Sequence, residues 1–170
     1  YKTPTSDGRK FYTDGPKIHE FLQELTANTF GKYPESLTVG EMSSTSISHC
    51  VEYTKPENRE LSMVFNFHHL KVDYPNGEKW ALGELDFKAL KDIFFKWQVG
   101  IENGDGWSAV FWCNHDQPRI VSRFGSEKYL KESGKMLGTT IHMLRGTPYI
   151  YQGEEIAMTN PHFENINEYR

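Results

Sequence analysis

The sequence predicts an α/β protein built on a parallel sheet, on two observations. Helix-patterned and strand-patterned segments alternate along the chain, and four of the strand-like runs end in polar or ionisable groups: Glu41, His68/His69, His115/Asp116 and Gln152/Glu154. Alternation of this kind calls for crossover helices between parallel strands. The carboxyl ends of such strands share one edge, where ligands bind. One polar ending would be unremarkable; four suggest a common pocket.

Each element has a local reason. Asp14-Gly15-Pro16 reads as a helix start with Pro just inside the first turn, and Ile18, Phe21, Leu22 and Leu25 follow as one apolar face. Leu37-Thr38-Val39 reads as a short strand that stops at Gly40-Glu41. A shorter helix is expected around Ile47–Tyr53, before Pro56. LSMVFNF, residues 61–67, is the next strand, and the DYPNGEK that follows contains an Asn-Gly turn signal. Phe87, Leu90, Phe94, Trp97 and Ile101 give the clearest amphipathic helix, ended by Gly104-Asp105-Gly106. Ala109–Cys113 is the third strand and Met136–Leu144 the next helix. Gly146-Thr147-Pro148 introduces a last strand over Tyr149–Tyr151.

The chain of 170 residues is long enough for one domain with a sizeable core, and without repeats or linkers it reads as a single unit over 1–170. A net charge of -4 gives no reason to expect nucleic acid as a partner. No run is apolar enough to span a membrane, and the N-terminal stretch is not a signal peptide. The two cysteines, Cys50 and Cys113, lack metal-site spacing and point to a reducing compartment. The chain opens in a polar loop and closes on NPHFENINEYR without an ending element, as a segment of something longer would.

Glu41 just past a strand is either an acid–base group, its pKa raised by partial burial, or a surface glutamate opening a loop. Taken alone, it favours the surface glutamate. His115-Asp116 carries more weight, because the apolar strand before it gives the pair no local reason to exist. The pair suits sugar hydroxyls, a metal or a nucleophilic triad. Scattered histidines without ligand spacing argue against the metal, and no Gly-x-Ser-x-Gly supports a triad. Cys113 fits the strand pattern as a core thiol. Lys71 and Lys79 could converge on an anionic group such as a phosphate, though solvated loop lysines are the simpler reading. No nucleotide-type phosphate loop is present. Trp80, Trp107, Trp112, Phe65, Phe67, Tyr149 and Tyr151 are placed mostly in the core.

TVGEMSS, FNFHHLKVDYPNGEKW, FWCNHDQPRIVSRFG and GTPYIYQGEEIAMTNP resemble, in order, the second half of the catalytic barrel in the α-amylase superfamily of glycoside hydrolases. The resemblance runs from about residue 7 to 170. It implies a (β/α)₈ TIM barrel, with these strands as its fifth to eighth. It also implies retaining hydrolysis by two carboxyl groups ~5 Å apart. Glu41 then matches the general acid/base, Asp116 the carboxylate that holds and distorts the sugar ring, and His115 a neighbour that binds sugar hydroxyls. The family's nucleophile, in Gly-x-Arg-x-Asp, has no counterpart in this chain, so the segment alone is expected to be inactive.

EMSSTSISHC, FNFHHLKVDY and FWCN resemble the branch acting on α,α-trehalose 6-phosphate, with Lys71 and Lys79 as candidates for its phosphate. The alternatives are an oligo-1,6-glucosidase or dextran glucosidase, and a non-catalytic carbohydrate-binding remnant. No cofactor is implied, and the resemblance implies a cytoplasmic enzyme. Unpaired sheet edges in a half-barrel would invite self-association. Two departures from the family pattern stand out: Ala157 where glycine is expected, and SEKYLKESG over 126–134.

Overall fold

The computed structural model describes residues 12–79, 81 and 83–168. Trp80 and the polar opening before Tyr12 lie outside them. The elements run α1 (Ile18–Asn28), β1 (Val39–Met42), α2 (Ile47–Thr54), β2 (Met63–Asn66), α3 (Phe87–Asn103), β3 (Ser108–Phe111), α4 (Ile120–Phe124), α5 (Leu130–Met143) and β4 (Thr147–Tyr149). The strands form one sheet in the order β1-β2-β3-β4. β1 pairs parallel with β2, Glu41 opposite Phe65, and β2 pairs parallel with β3, Phe65 opposite Ala109. The expected α/β fold with a parallel sheet is therefore present.

Packing divides the chain into two compact units. The first runs to Ala109 and takes in Arg145–Thr147; the second holds Val110–Leu144 and the residues from Pro148 onward.

In the first unit α2 and α3 close over β2. Cys50, Tyr53, Val64, Trp97 and Ile101 form the core, with Ile18, Leu22, Met42, Ile47 and Ile93 packed against it. Burying each large apolar side chain contributes about 1.5–3 kcal/mol. Gly100 permits the close approach of α3 to α2, since a Cβ there would stand 2.7 Å from Cγ2 of Ile47. Capping is local: the side chain of Ser46 accepts from the His49 N–H and that of Asp86 from the Ala89 N–H.

Several expected boundaries and faces are corrected. Pro16 precedes α1 rather than opening it, because Lys17 is the cap residue. Only Ile18 and Leu22 of the expected α1 face pack on the core, while Phe21 and Leu25 are exposed. Phe87 is likewise exposed at the first turn of α3, where Leu90, Trp97 and Ile101 carry the burial. Trp107 is partly exposed rather than core. Its ring lies under the Arg145 guanidinium at 4.7 Å, and its indole N–H donates to Thr147 Oγ1 at 2.9 Å.

The buried apolar residues described in the second unit are Val110, Phe111, Trp112, Cys113, Ile120, Val121, Phe124, Leu137 and Ile141. Trp112 meets the Phe124 ring edge-on and donates its indole N–H to the Leu137 carbonyl at 2.8 Å. Ala157 adopts φ 55, a left-handed conformation that costs an alanine about 1–2 kcal/mol. A Cβ on Gly134 would lie 2.9 Å from the Ala157 Cβ. The two departures in the sequence thus meet in space, Gly134 leaving room for Ala157. Ala157→Gly is expected to stabilise the protein by about 1 kcal/mol. Gly134→Ala is expected to destabilise it alone, and to stabilise it by about 1 kcal/mol once Ala157→Gly is present. Thermal unfolding of both single variants and the double variant reads this change of sign.

Candidate active site

Glu41 lies within β1, not beyond it, because ladder pairing continues through Met42, opposite Asn66. Its side chain is exposed, so the partial burial expected of it is absent from this chain. Glu41, Met42 and Ser43–Thr45 line one part of a cavity of about 590 Å³; Tyr12–Ile18, Phe21 and Tyr53 line the rest. The parallel pairing puts this carboxyl at the same edge of the sheet as the end of β2.

β2 runs into a tight 3₁₀ turn, His68–Lys71. His69 is buried and its ring stacks on Phe94 at 5.4 Å, which makes it a core histidine. His68 packs on Trp97 at 4.6 Å, and its buried Nδ1 has no hydrogen-bond partner among the described residues. Burial, reinforced by the Lys71 and Lys96 ammonium groups, pushes its pKa down to about 4.

The unfolded chain therefore binds a proton between about pH 6.5 and pH 4 that the folded chain refuses. Stability from this group is complete above the unfolded value and is lost as pH falls through that window. His68→Phe is expected to flatten the decline, read as the difference in unfolding midpoint between pH 7 and pH 5.

Lys71 reaches back across the edge and donates to the Ser43 carbonyl at 2.5 Å, two residues after Glu41. Lys79 is exposed in the connection that follows. The lysines thus occupy different settings, one fastened to the wall that carries Glu41 and the other in a loop.

In the second unit the chain leaves β3 through buried Trp112 and Cys113 and turns at Asn114. Asn114 makes the turn: its Oδ1 accepts the Asp116 N–H at 2.8 Å and its carbonyl accepts the Gln117 N–H at 3.2 Å. His115 and Asp116 are both exposed, with His115 Nε2 3.5 Å from Asp116 Oδ2. Cys113 is inert. Burial raises its pKa, and its thiol faces the carbonyls of Asn114, Gln117 and Pro118 at 3.5–3.7 Å.

Arg119 carries a role that sequence reading missed. Its Nη1 donates to the Gln152 carbonyl at 2.6 Å, and its guanidinium lies 5.0 Å from the Tyr151 ring centre. Nearby, burial raises the Glu154 pKa, while the Tyr151 N–H donates to its Oε2 at 3.1 Å. The Arg that follows the Asp-Gln-Pro motif was the available signal. Among the described residues, no group of three or more His, Cys, Asp or Glu could hold a metal ion. No helix among them is long and apolar enough to cross a membrane.

The parallel sheet sets Glu41 on β1 in the wall of a cavity, and the turn after β3 carries the exposed His115-Asp116 pair. The chain belongs to the α-amylase family, whose catalytic-domain model matches residues 2–169. It is 62% identical to the trehalose-6-phosphate hydrolase of Bacillus subtilis over 96% of its length. The crystal structure of the Bacillus licheniformis trehalose-6-phosphate hydrolase superposes on 99% of it, with a TM-score of 0.94 and 64% identity. The oligo-1,6-glucosidase of Parageobacillus thermoglucosidasius is more distant, 48% identical over 97% of the chain. The chain spans 29% of the length of both curated relatives and 30% of that crystallised chain.

Proposed function

We propose that this chain, over 1–170, is part of one catalytic (β/α)₈ barrel, supplying its fifth to eighth strands. In our reading the whole enzyme hydrolyses α,α-trehalose 6-phosphate to glucose and glucose 6-phosphate with retention of configuration. The observation that carries the reading is Glu41, set on β1 in the wall of the cavity. The similarity to trehalose-6-phosphate hydrolases supports the choice of substrate.

In the first step Glu41 gives its proton to the glycosidic oxygen as the C1–O bond breaks, and an aspartate outside this chain forms the glycosyl ester. In the second, ionised Glu41 takes a proton from water as the water oxygen bonds to C1 and the ester is released. Asp116 and His115 hold the hydroxyls of the non-reducing glucose. One or both of Lys71 and Lys79 meet the 6-phosphate. Ammonium–phosphate hydrogen bonds suit this task. Without the nucleophile the segment alone turns nothing over.

The test measures kcat/KM for trehalose 6-phosphate, trehalose and isomaltose in the full-length enzyme. Phosphorylated trehalose is expected to be preferred, and preference for isomaltose would overturn the assignment. Removing a charged hydrogen bond costs about 1.5–3 kcal/mol, so Lys71→Ala or Lys79→Ala is expected to cut the preference for the phosphorylated sugar by about 10–100-fold. An unchanged preference in both variants would remove the lysines from that role.

A further inference from the structure

Asp14 lines the same cavity as Glu41, in a segment whose sequence reads only as a helix start. Its φ of 48 is left-handed, a conformation that Asp tolerates better than most residues. Its carboxylate gathers donors from two other elements. Tyr53 on α2 donates its hydroxyl to Oδ1 at 2.7 Å, and His49, also on α2, places Nδ1 2.9 Å from Oδ2. Thr45, in the connection between β1 and α2, donates its hydroxyl at 3.4 Å. Thr45 and Tyr53 are almost fully buried, and both line the cavity with Glu41. Burial first, and then the bond to Asp14, raises the Tyr53 pKa, so its hydroxyl stays a donor across the working pH range.

The β1–α2 connection is therefore held at two places. Lys71 grips the Ser43 carbonyl from one side. Asp14 grips Thr45 and the buried Tyr53 from the other.

We propose that Asp14 is a positioning residue for the acid/base carboxyl, fixing the Ser43–Thr45 connection so that Glu41 is held at one place in the cavity wall. This rests on the assignment of Glu41 as acid/base. In this role the carboxylate acts through Thr45 and Tyr53. Small displacements of a catalytic group are costly, and a shift of about 1 Å loses as much as 10²-fold in rate.

The test uses the full-length enzyme and two substrates that differ in their need for Glu41. Trehalose 6-phosphate needs a proton on its leaving oxygen. α-Glucosyl fluoride does not, because fluoride departs unaided, and added azide then attacks the glycosyl-enzyme without help from a base. Asp14→Gly removes the carboxylate while accepting the left-handed backbone. It is expected to lower kcat on trehalose 6-phosphate by about tenfold and to change turnover of glucosyl fluoride in azide by less than about threefold. Tyr53→Phe keeps the ring and removes the 2.7 Å bond, and it is expected to show the same split at smaller size. It decides the matter if Asp14→Gly does not fold.

Equal losses on both substrates would overturn the proposal, leaving Asp14 a purely structural residue. So would a loss of less than about twofold on trehalose 6-phosphate. Glu41→Gln runs alongside. If that variant shows no split between the substrates, the acid/base assignment itself fails. If Glu41→Gln shows the split and the Asp14 and Tyr53 variants do not, the positioning role alone fails.

Discussion

Glu41→Gln in the full-length enzyme is expected to lower turnover of trehalose 6-phosphate by about 10²–10⁴-fold. Glutamine keeps the shape of the side chain and removes the proton that the leaving oxygen takes. The backbone at residue 41 is held by its pairing with β2, opposite Phe65, and the side chain is exposed, so the substitution leaves the fold intact. The loss is therefore chemical and should follow the leaving group. Glucosyl fluoride should still form the glycosyl-enzyme, and azide should then speed its breakdown to a glucosyl azide of retained configuration. Product analysis with and without azide reads both steps. A loss of less than tenfold on trehalose 6-phosphate, or absence of the azide product, would remove Glu41 from the acid/base role.

Legibility in the sequence followed the range of the interaction that decides each feature. α3 was readable because its burial repeats locally: Leu90, Trp97 and Ile101 recur at helical spacing over seventeen residues, and all three are buried. β1 was placed two residues early at its start and three at its end, because its limits are set by pairing to β2, twenty-four positions away in register, and not by Gly40. α4 has five residues, too few to show a helical period. α1 was readable as a helix, but its exposed face was not, since Phe21 and Leu25 carry the same pattern as Ile18 and Leu22.

The candidate site divides the same way. Glu41, His115 and Asp116 could be picked out because each interrupts or ends an apolar run. Asp14 could not. Its partners Thr45, His49 and Tyr53 lie 31–39 residues further along the chain, and a carboxylate before Gly-Pro has a sufficient local explanation as a helix start. Cys113, by contrast, was read correctly as a core thiol, although not through alternation: it ends a continuous apolar run, Ala109–Cys113, in which every residue is buried.

His19→Ala is expected to destabilise the protein by about 3 kcal/mol, through the carboxylate it leaves behind. Glu60 has a fully buried side chain, and His19 Nδ1 bridges its two oxygens at 3.0 and 2.9 Å. Gln23 adds one bond at 3.2 Å, and Thr26 donates to the Glu60 carbonyl at 3.1 Å. These three residues sit on successive turns of α1, which has no fully buried residue of its own, so Glu60 fastens that helix alongside the packing of Ile18 and Leu22 on the core. Taking away the imidazole strands a charge that Gln23 alone cannot satisfy. Adding Glu60→Gln removes that charge, so the double variant should recover about half of the loss, whereas independent effects would simply add. Unfolding midpoints in denaturant measure the cycle, and a double variant as unstable as the sum of the singles would overturn this account of how α1 is held. The consequence reaches the site, because Ile18 and Phe21 of the same helix line the cavity that contains Glu41. His19→Ala should therefore raise KM for trehalose 6-phosphate at temperatures well below the unfolding transition, and Glu60→Gln should bring KM back along with the stability.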